Sequence, residues 1–352
     1  MNVSGLRPLG DTILPADAAE RSDWVVARRG DRRRVDPAVP YASGCEPERT
    51  GRGGIADVVT LFLTNRECPW RCVMCDLWRD TLPHPLAPGI LPAQIAAGLA
   101  RHPEPARGAQ RRHLKLYNAG SFFDHGAIPP ADHAAIARLA SGFDRTIVEC
   151  HPRLVGESAV RFRDALHRAA EPGRTPDLEL ALGLETIHPV VLDRLNKRFT
   201  LDDFVASAAF LRRHGIALRV FLLVQPPWLD AAEAVHWAVR SARFAFDHGA
   251  EVVSLIPVRP GNGALDELAA RREFVPPRLA TLERALDEVL VLPRDAPVQR
   301  AFADTWDLGQ FSDCAACLPR RTARLQRINL SQAAEPPISC PHCRDGGPVR
   351  SV

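Results

Sequence analysis

Cys68, Cys72 and Cys75 stand on one short stretch, Asn65-Arg66-Glu67-Cys68-Pro69-Trp70-Arg71-Cys72-Val73-Met74-Cys75, with the spacing C-x3-C-x2-C. Three thiolates on one loop suit an iron–sulfur cubane, whereas a closed zinc site wants four ligands, normally as two separated pairs. A four-iron cluster held by three cysteines leaves one iron open, and an open position on a redox-active metal is a place for chemistry. The bland alternatives are a zinc ion completed by a distant ligand, or three incidental buried thiols. A second group, Cys314, Cys317, Cys340 and Cys343, forms two C-x2-C knuckles separated by 22 residues. Two thiolate pairs match a structural zinc site, with an auxiliary iron–sulfur cluster as the rival.

Of the nine cysteines only Cys45 and Cys150 lie outside these groups, and both are expected to be small buried hydrophobes. An odd count in an unsecreted chain disfavours a disulfide framework. Between the knuckles, Arg320, Arg324 and Arg327 share one helical face, either a grip for RNA phosphates or a solvated surface.

The elements that must position these groups alternate regularly. Buried strands are expected at 57–64, 113–118, 145–150, 178–185, 218–224 and 251–258, with helices at 92–102, 130–140, 157–170, 201–215, 231–249 and near 277–291. Six strands alternating with helices predict an α/β fold with a parallel sheet, whose functional groups collect at the strands' carboxyl ends. The expected organisation is an N-terminal arm over 1–54 carrying one helix, a core over 55–292, and a small Cys-rich, metal-stapled C-terminal segment over 293–352.

With 352 residues, 46% hydrophobic and 25% charged, the chain has the composition of a globular protein with a sizeable core. Its 45 basic and 42 acidic residues leave a net charge of +3, too little for a global field that would seek nucleic acid or membrane. No apolar run is long enough for a membrane span and the start lacks the order of a signal peptide, so the expected location is the cytoplasm. Lys115 and Lys197 are the only lysines in an arginine-dominated chain, which draws notice to both.

The cysteine loop directly after the first strand resembles the signature of the radical S-adenosylmethionine enzymes, and the similarity spans about residues 57–275. The resemblance implies a partial (β/α)6 TIM-like barrel. It implies a [4Fe–4S] cluster on Cys68, Cys72 and Cys75, with the open iron chelated by the amino and carboxylate groups of S-adenosylmethionine. Reductive cleavage would then give a 5′-deoxyadenosyl radical that abstracts a substrate hydrogen. Met74 stands near the adenine position, where family members often carry an aromatic residue. Asn118, Gly120 and Ser121 occupy the place of the motif that meets the cosubstrate's amino group.

Glu149 and Glu185 end two strands and would meet ribose hydroxyls or an ammonium group. The pattern GLET…LDRLNKR resembles the branch typified by the Elongator catalytic subunit, in which a basic residue about a dozen positions further on contacts the cosubstrate; that residue is Lys197. Gln225, Arg259 and Asn262 follow later strands and are candidates to meet substrate, with Arg259-Pro260-Gly261-Asn262-Gly263 equally well read as a turn.

Lys115, NAGSFFD, GLET and LNKRFT are also similar to the archaeosine synthase β-subunit family. That family cleaves a C–N bond in a lysine adduct of 7-deazaguanine in tRNA, beside a partner subunit. The implied partners are a modified nucleoside in tRNA, a partner subunit, and a one-electron donor such as flavodoxin or ferredoxin. The segment SLIPVRPGNG departs from the family, so two other readings stay open: a radical enzyme acting on a small metabolite or peptide, and a non-catalytic iron–sulfur or zinc protein.

Overall fold

The computed structural model describes residues 11–102, 111–293, 298–312 and 314–343, so the first ten residues of the expected arm and the last nine of the expected tail segment lie outside it. All six expected strands form, each within two residues of its expected bounds. They are β2 (Ile55–Leu63), β3 (Arg111–Asn118), β4 (Arg145–Cys150), β5 (Asp177–Glu185), β6 (Ala217–Val224) and β7 (Val252–Pro257). Two further strands flank them, β1 (Ala42–Arg49) and β8 (Arg300–Ala303), giving one eight-stranded sheet in sequential order. β1 runs antiparallel to β2 and every other neighbour is parallel.

The count of six is therefore corrected to eight, and the reason is physical. β1 reads ASGCEPER, with a proline and three charged residues, because it is an edge strand turned half to solvent. β8 is only four residues long, too short to show a period. Both lie in stretches read from the sequence as arm and tail. Edge placement also corrects Cys45, which is exposed rather than buried, while Cys150 is buried as expected.

Among the described residues ten α-helices connect or flank the strands: α1 (Ala18–Val26), α2 (Ile90–Leu99), α3 (His133–Ala140), α4 (Glu157–Ala169), α5 (Pro189–Arg194), α6 (Leu201–Arg213), α7 (Ala231–Asp247), α8 (Ala264–Ala270), α9 (Leu279–Leu290) and α10 (Leu318–Ser331). Local chemistry sets their starts. Thr200 accepts from the Asp203 amide at 3.1 Å while the Asp203 carboxylate accepts from the Thr200 amide at 2.8 Å, and Asp230 with Glu233 repeats this box at α7. α7 buries Val235, Trp237, Ala238, Ala242, Ala245 and Phe246 between α9 and the sheet. Burial of each large apolar side chain there contributes about 1.5–3 kcal/mol. Among the described residues no helix is long and apolar enough to cross a membrane.

The sheet curls around a lumen. Glu48 on β1 accepts from Lys115 on β3 at 2.6 Å and from Arg219 on β6 at 2.7 Å, which a flat sheet would hold far apart. One layer higher, Tyr117 on β3 meets Phe221 on β6 edge to face, 5.9 Å between ring centroids. Lys115 thus belongs to a charged floor. Arg145 and Arg219 share Glu179 at 2.6 and 2.5 Å, and Arg145 also reaches Glu251 at 2.9 Å. Burial by itself would raise the Glu179 carboxyl, but the two guanidinium groups hold it down at about 2. Ionised and fully paired, this layer fixes the spacing of strands whose other ends carry the candidate site.

Candidate active site

The cysteine loop leaves the carboxyl end of β2 and is tied down from three directions. The Val73 amide donates to the Leu195 carbonyl at 3.0 Å, and Asn196 Nδ2 donates to the Arg71 carbonyl at 3.0 Å. Asn262 Nδ2 donates to the Val73 and Cys75 carbonyls at 2.8 and 3.2 Å, and its Oδ1 accepts from the Leu265 amide. From the arm, Arg29 and Arg32 each reach the Glu67 carboxylate at 2.7 Å, with Arg71 adding a contact at 3.2 Å. The arginine-rich arm is a strap over the loop.

Glycine is required at 120, where φ is +131° and an added Cβ would lie 2.5 Å from the Cys68 Cβ. The loop can approach the end of β3 only because that side chain is missing. Cys72 is buried, and Cys68 and Cys75 are partly so. Burial pushes the Cys72 thiol up to about 12, against the opposing pull of Lys197, and pushes Cys75 well above its ordinary value, with the neighbouring thiols adding to it. Thiols so costly to ionise give up their protons to a metal, whose charge replaces the missing solvation.

Beside the loop stand polar residues from the ends of β3, β4 and β5. Lys197 and Glu185 form a buried ion pair, both side chains at most 13% exposed. Burial disfavours the Lys197 charge, yet Glu185 and Cys72 outweigh it and raise the ammonium's pKa. Glu149, on the next strand, is pushed up to about 8 by burial, and among the described residues its carboxylate receives only the Asn118 amide, at 3.3 Å. The Asn118 side chain has both polar atoms buried and without a partner, and so does Gln225 at its Oε1. Unmet donors and acceptors of this kind are costly unless a ligand satisfies them. An amino acid moiety and ribose offer matching groups, so the residues fit S-adenosylmethionine.

Cys68, Cys72, Cys75, Gly120, Asn118, Glu149, Glu185 and Lys197 therefore lie together. Three further expected residues have partners within the protein. Ser121 is occupied by Cys150 Sγ at 3.5 Å and the His151 amide at 3.3 Å, Met74 packs against the core, and Gln225 Nε2 donates to the Val275 carbonyl at 3.0 Å. Arg259 pairs with Asp304 at 2.8 Å, and Asn262 serves the loop backbone as described above. Asn196, Arg29, Arg32 and His151 were missed. His151 stacks on Trp70 at 3.8 Å and meets the Lys197 carbonyl at 2.9 Å. Asn196, immediately before Lys197, was the one with a signal, since asparagine tolerates its φ of +58°.

The four tail cysteines form a second centre, with all four sulfurs within 4.8 Å of one another. Cys314 and Cys340 are 3.8 Å apart and Cys317 and Cys343 3.6 Å. Zinc–thiolate bonds of about 2.3 Å set a tetrahedral edge of about 3.8 Å, so this donor set fits one tetrahedral ion. Of the α10 arginines, Arg320 and Arg327 are exposed, as a solvated face expects, and only Arg324 departs from it. Arg324 is completely buried, bound to Asp287 at 2.8 Å and beside Glu283, Arg321 pairs with Glu283 at 2.6 Å, and Arg327 pairs with Glu335 at 2.7 Å. Glu283 and Asp287 sit one turn apart on α9 and draw Arg321 and Arg324 inward.

No protein-family profile matches the chain. It is 24% identical over 283 residues to the archaeosine synthase subunit beta of Methanosarcina acetivorans, covering 78% of this chain and 79% of that protein. It is 25% identical over 210 residues to the archaeosine synthase subunit beta of Thermococcus kodakarensis, covering 58% and 62%. Among solved structures, methylornithine synthase aligns over 81% of this chain and 68% of its own, at 11% identity and a TM-score of 0.45. The resemblance to archaeosine synthase β-subunits read from the motifs thus extends over most of the sequence.

Proposed function

We infer that this chain is a radical S-adenosylmethionine enzyme acting on a modified nucleoside in tRNA, with a partner subunit and a one-electron donor. The observation that carries the reading is the thiol loop of Cys68, Cys72 and Cys75, anchored at the carboxyl ends of the strands beside Glu149, Glu185, Lys197 and the unmet Asn118 and Gln225 side chains. The substrate class and the partner subunit are supported by the relatives that bear the name archaeosine synthase subunit beta.

When bound, a [4Fe–4S] cluster with S-adenosylmethionine would supply an electron that splits the sulfonium bond and a radical that takes a hydrogen atom from substrate. The chain's own part is to hold, orient and keep dry. Lys197, kept charged by Glu185, presents an ammonium to the thiolates and to a carboxylate. Glu149, neutral below about pH 8 in the free protein, has a proton to give and becomes an acceptor for an ammonium when one arrives. Asn118 supplies a carbonyl oxygen and an amide without competing partners. The aromatic layer of Tyr117 and Phe221 floors the chamber and excludes water from the reacting atoms.

For the tail we propose one zinc ion on Cys314, Cys317, Cys340 and Cys343, since thiolates of a cubane each bind a different iron and stand wider apart than these sulfurs. The deciding experiment is anaerobic reconstitution, reduction with dithionite, and assay for 5′-deoxyadenosine with metal analysis. Product formation with about four irons and one zinc per chain is expected. Failure to cleave S-adenosylmethionine with a full complement of iron would defeat the reading.

A further inference from the structure

The barrel carries a second polar chamber at the opposite end from the cysteine loop. A cavity of about 320 Å³ opens among the first residues of the strands and the β1–β2 turn, a volume at the lower end of the range for small-ligand sites. Five carboxylates line it, Glu48, Asp144, Asp177, Glu179 and Glu251. Each is already engaged by a cation: Lys115 and Arg219 on Glu48, Arg174 on Asp144, Arg145 and Arg52 on Asp177, Arg145 and Arg219 on Glu179, and Arg145 on Glu251. Five carboxylates are thus met by five cations, of which Lys115, Arg174 and Arg219 reach in from outside the lining.

Three arginines of the same lining remain over. Among the described residues Arg49, Arg212 and Arg300 have no carboxylate partner, and the one lining histidine, His113, is pushed down to about 4 by burial and carries no charge. Arg300 is the telling member. It is 4% exposed, its Nε is buried without a partner, and its one hydrogen bond runs from Nη1 to the carbonyl of nearby Val298 at 3.0 Å. Burial works against its charge, and Glu179, taken up by two other arginines, does not make this good. The chain also makes room for it, since any side chain at position 51 would collide with the guanidinium. A buried guanidinium whose Nε meets no acceptor and whose charge meets no carboxylate is an unfinished site.

We propose that this cavity binds a phosphate group, with Arg300 at its base and Arg49 and Arg212 at its rim. Three unmatched positive charges suit a group that carries between one and two negative charges at neutral pH and offers three acceptor oxygens to guanidinium forks. Phosphate chemistry has two sources, the backbone of an RNA or a small phosphate ester. The site stands apart from the cysteine loop and does not depend on the reaction assigned to it.

The test is thermal unfolding of the full-length protein titrated with inorganic phosphate, against potassium chloride of equal ionic strength. Phosphate should raise the transition temperature where chloride does not, Arg300→Met should weaken the response at least tenfold, and Arg212→Gln, an exposed substitution that leaves the core alone, should weaken it several-fold. Arg213→Gln, one residue away and outside the lining, should respond as the wild type does. A chloride response equal to that of phosphate, or an undiminished phosphate response in both Arg300→Met and Arg212→Gln, overturns the proposal. Competition then assigns the source: displacement of phosphate by total tRNA but not by adenosine monophosphate points to an RNA backbone, and displacement by the nucleotide to a small ester.

Discussion

Lys197 and Glu185 form an ion pair that sequence separates by twelve positions and the fold buries beside Cys72. The carboxylate stabilises an ammonium that would otherwise be expensive to keep charged at this depth, and the ammonium in turn favours the thiolate over the thiol. Lys197→Met and Glu185→Gln should each destabilise the protein by about 3–5 kcal/mol, because either leaves a buried charge unmatched. S-adenosylmethionine affinity should fall about tenfold or more in both while bound iron is retained, as equilibrium dialysis with iron analysis would report.

Cys72→Ala removes the most buried ligand of the loop. It should abolish both the iron–sulfur centre and formation of 5′-deoxyadenosine; product at the wild-type rate would place the chemistry elsewhere.

Gly120→Ala tests the close approach of β3's end to Cys68. A methyl group there strains a backbone held at φ +131° and collides with the cysteine, so iron content after reconstitution should drop by at least half. Gly142→Ala, at a position where an added Cβ meets nothing within 4 Å, is the matched control and should load normally.

Glu149 gives the metal-free protein a pH signature. Its folded pKa of about 8 lies above the unfolded value of about 4.3, so the folded state binds more protons between them and stability falls as pH rises through that window. Glu149→Gln should flatten this component of the transition temperature between about pH 5 and pH 8 and raise stability most at the upper end. Identical pH profiles for variant and wild type would contradict the buried, poorly bonded carboxyl.

At the tail, joint replacement of Cys314 and Cys340 by serine should lose one zinc per chain, leave the segment after α9 sensitive to protease, and leave iron at the first loop unchanged. Loss of about four irons instead would identify a second cluster, readable in the same metal analysis.

The parallel strands were legible because each is a short apolar run bounded by turn residues, and the ligands were legible because cysteine spacing is a local property. What escaped depends on distant partners. β1 carries Glu46 and Glu48 where a strand pattern wants apolar residues, since its inner face completes a charge network with β3 and β6. Arg324 reads as a surface residue until α9 brings Asp287 against it. Asn262 follows a strand like a substrate residue, yet it serves the backbone of a loop almost two hundred positions earlier.

The strap of Arg29 and Arg32 on Glu67 bears on how a minimal catalytic fragment should be cut. A fragment beginning at residue 55 would retain every cysteine and every strand-end residue of the candidate site. It would also leave the Glu67 carboxylate, 7% exposed, with Arg71 as its sole cation, one position before the first ligand. Such a fragment loses β1 as well, and with it Glu48, the partner of buried Lys115 and Arg219, so both the sheet and iron loading should suffer; the usable boundary lies upstream of Arg29, and a fusion partner is best joined ahead of α1.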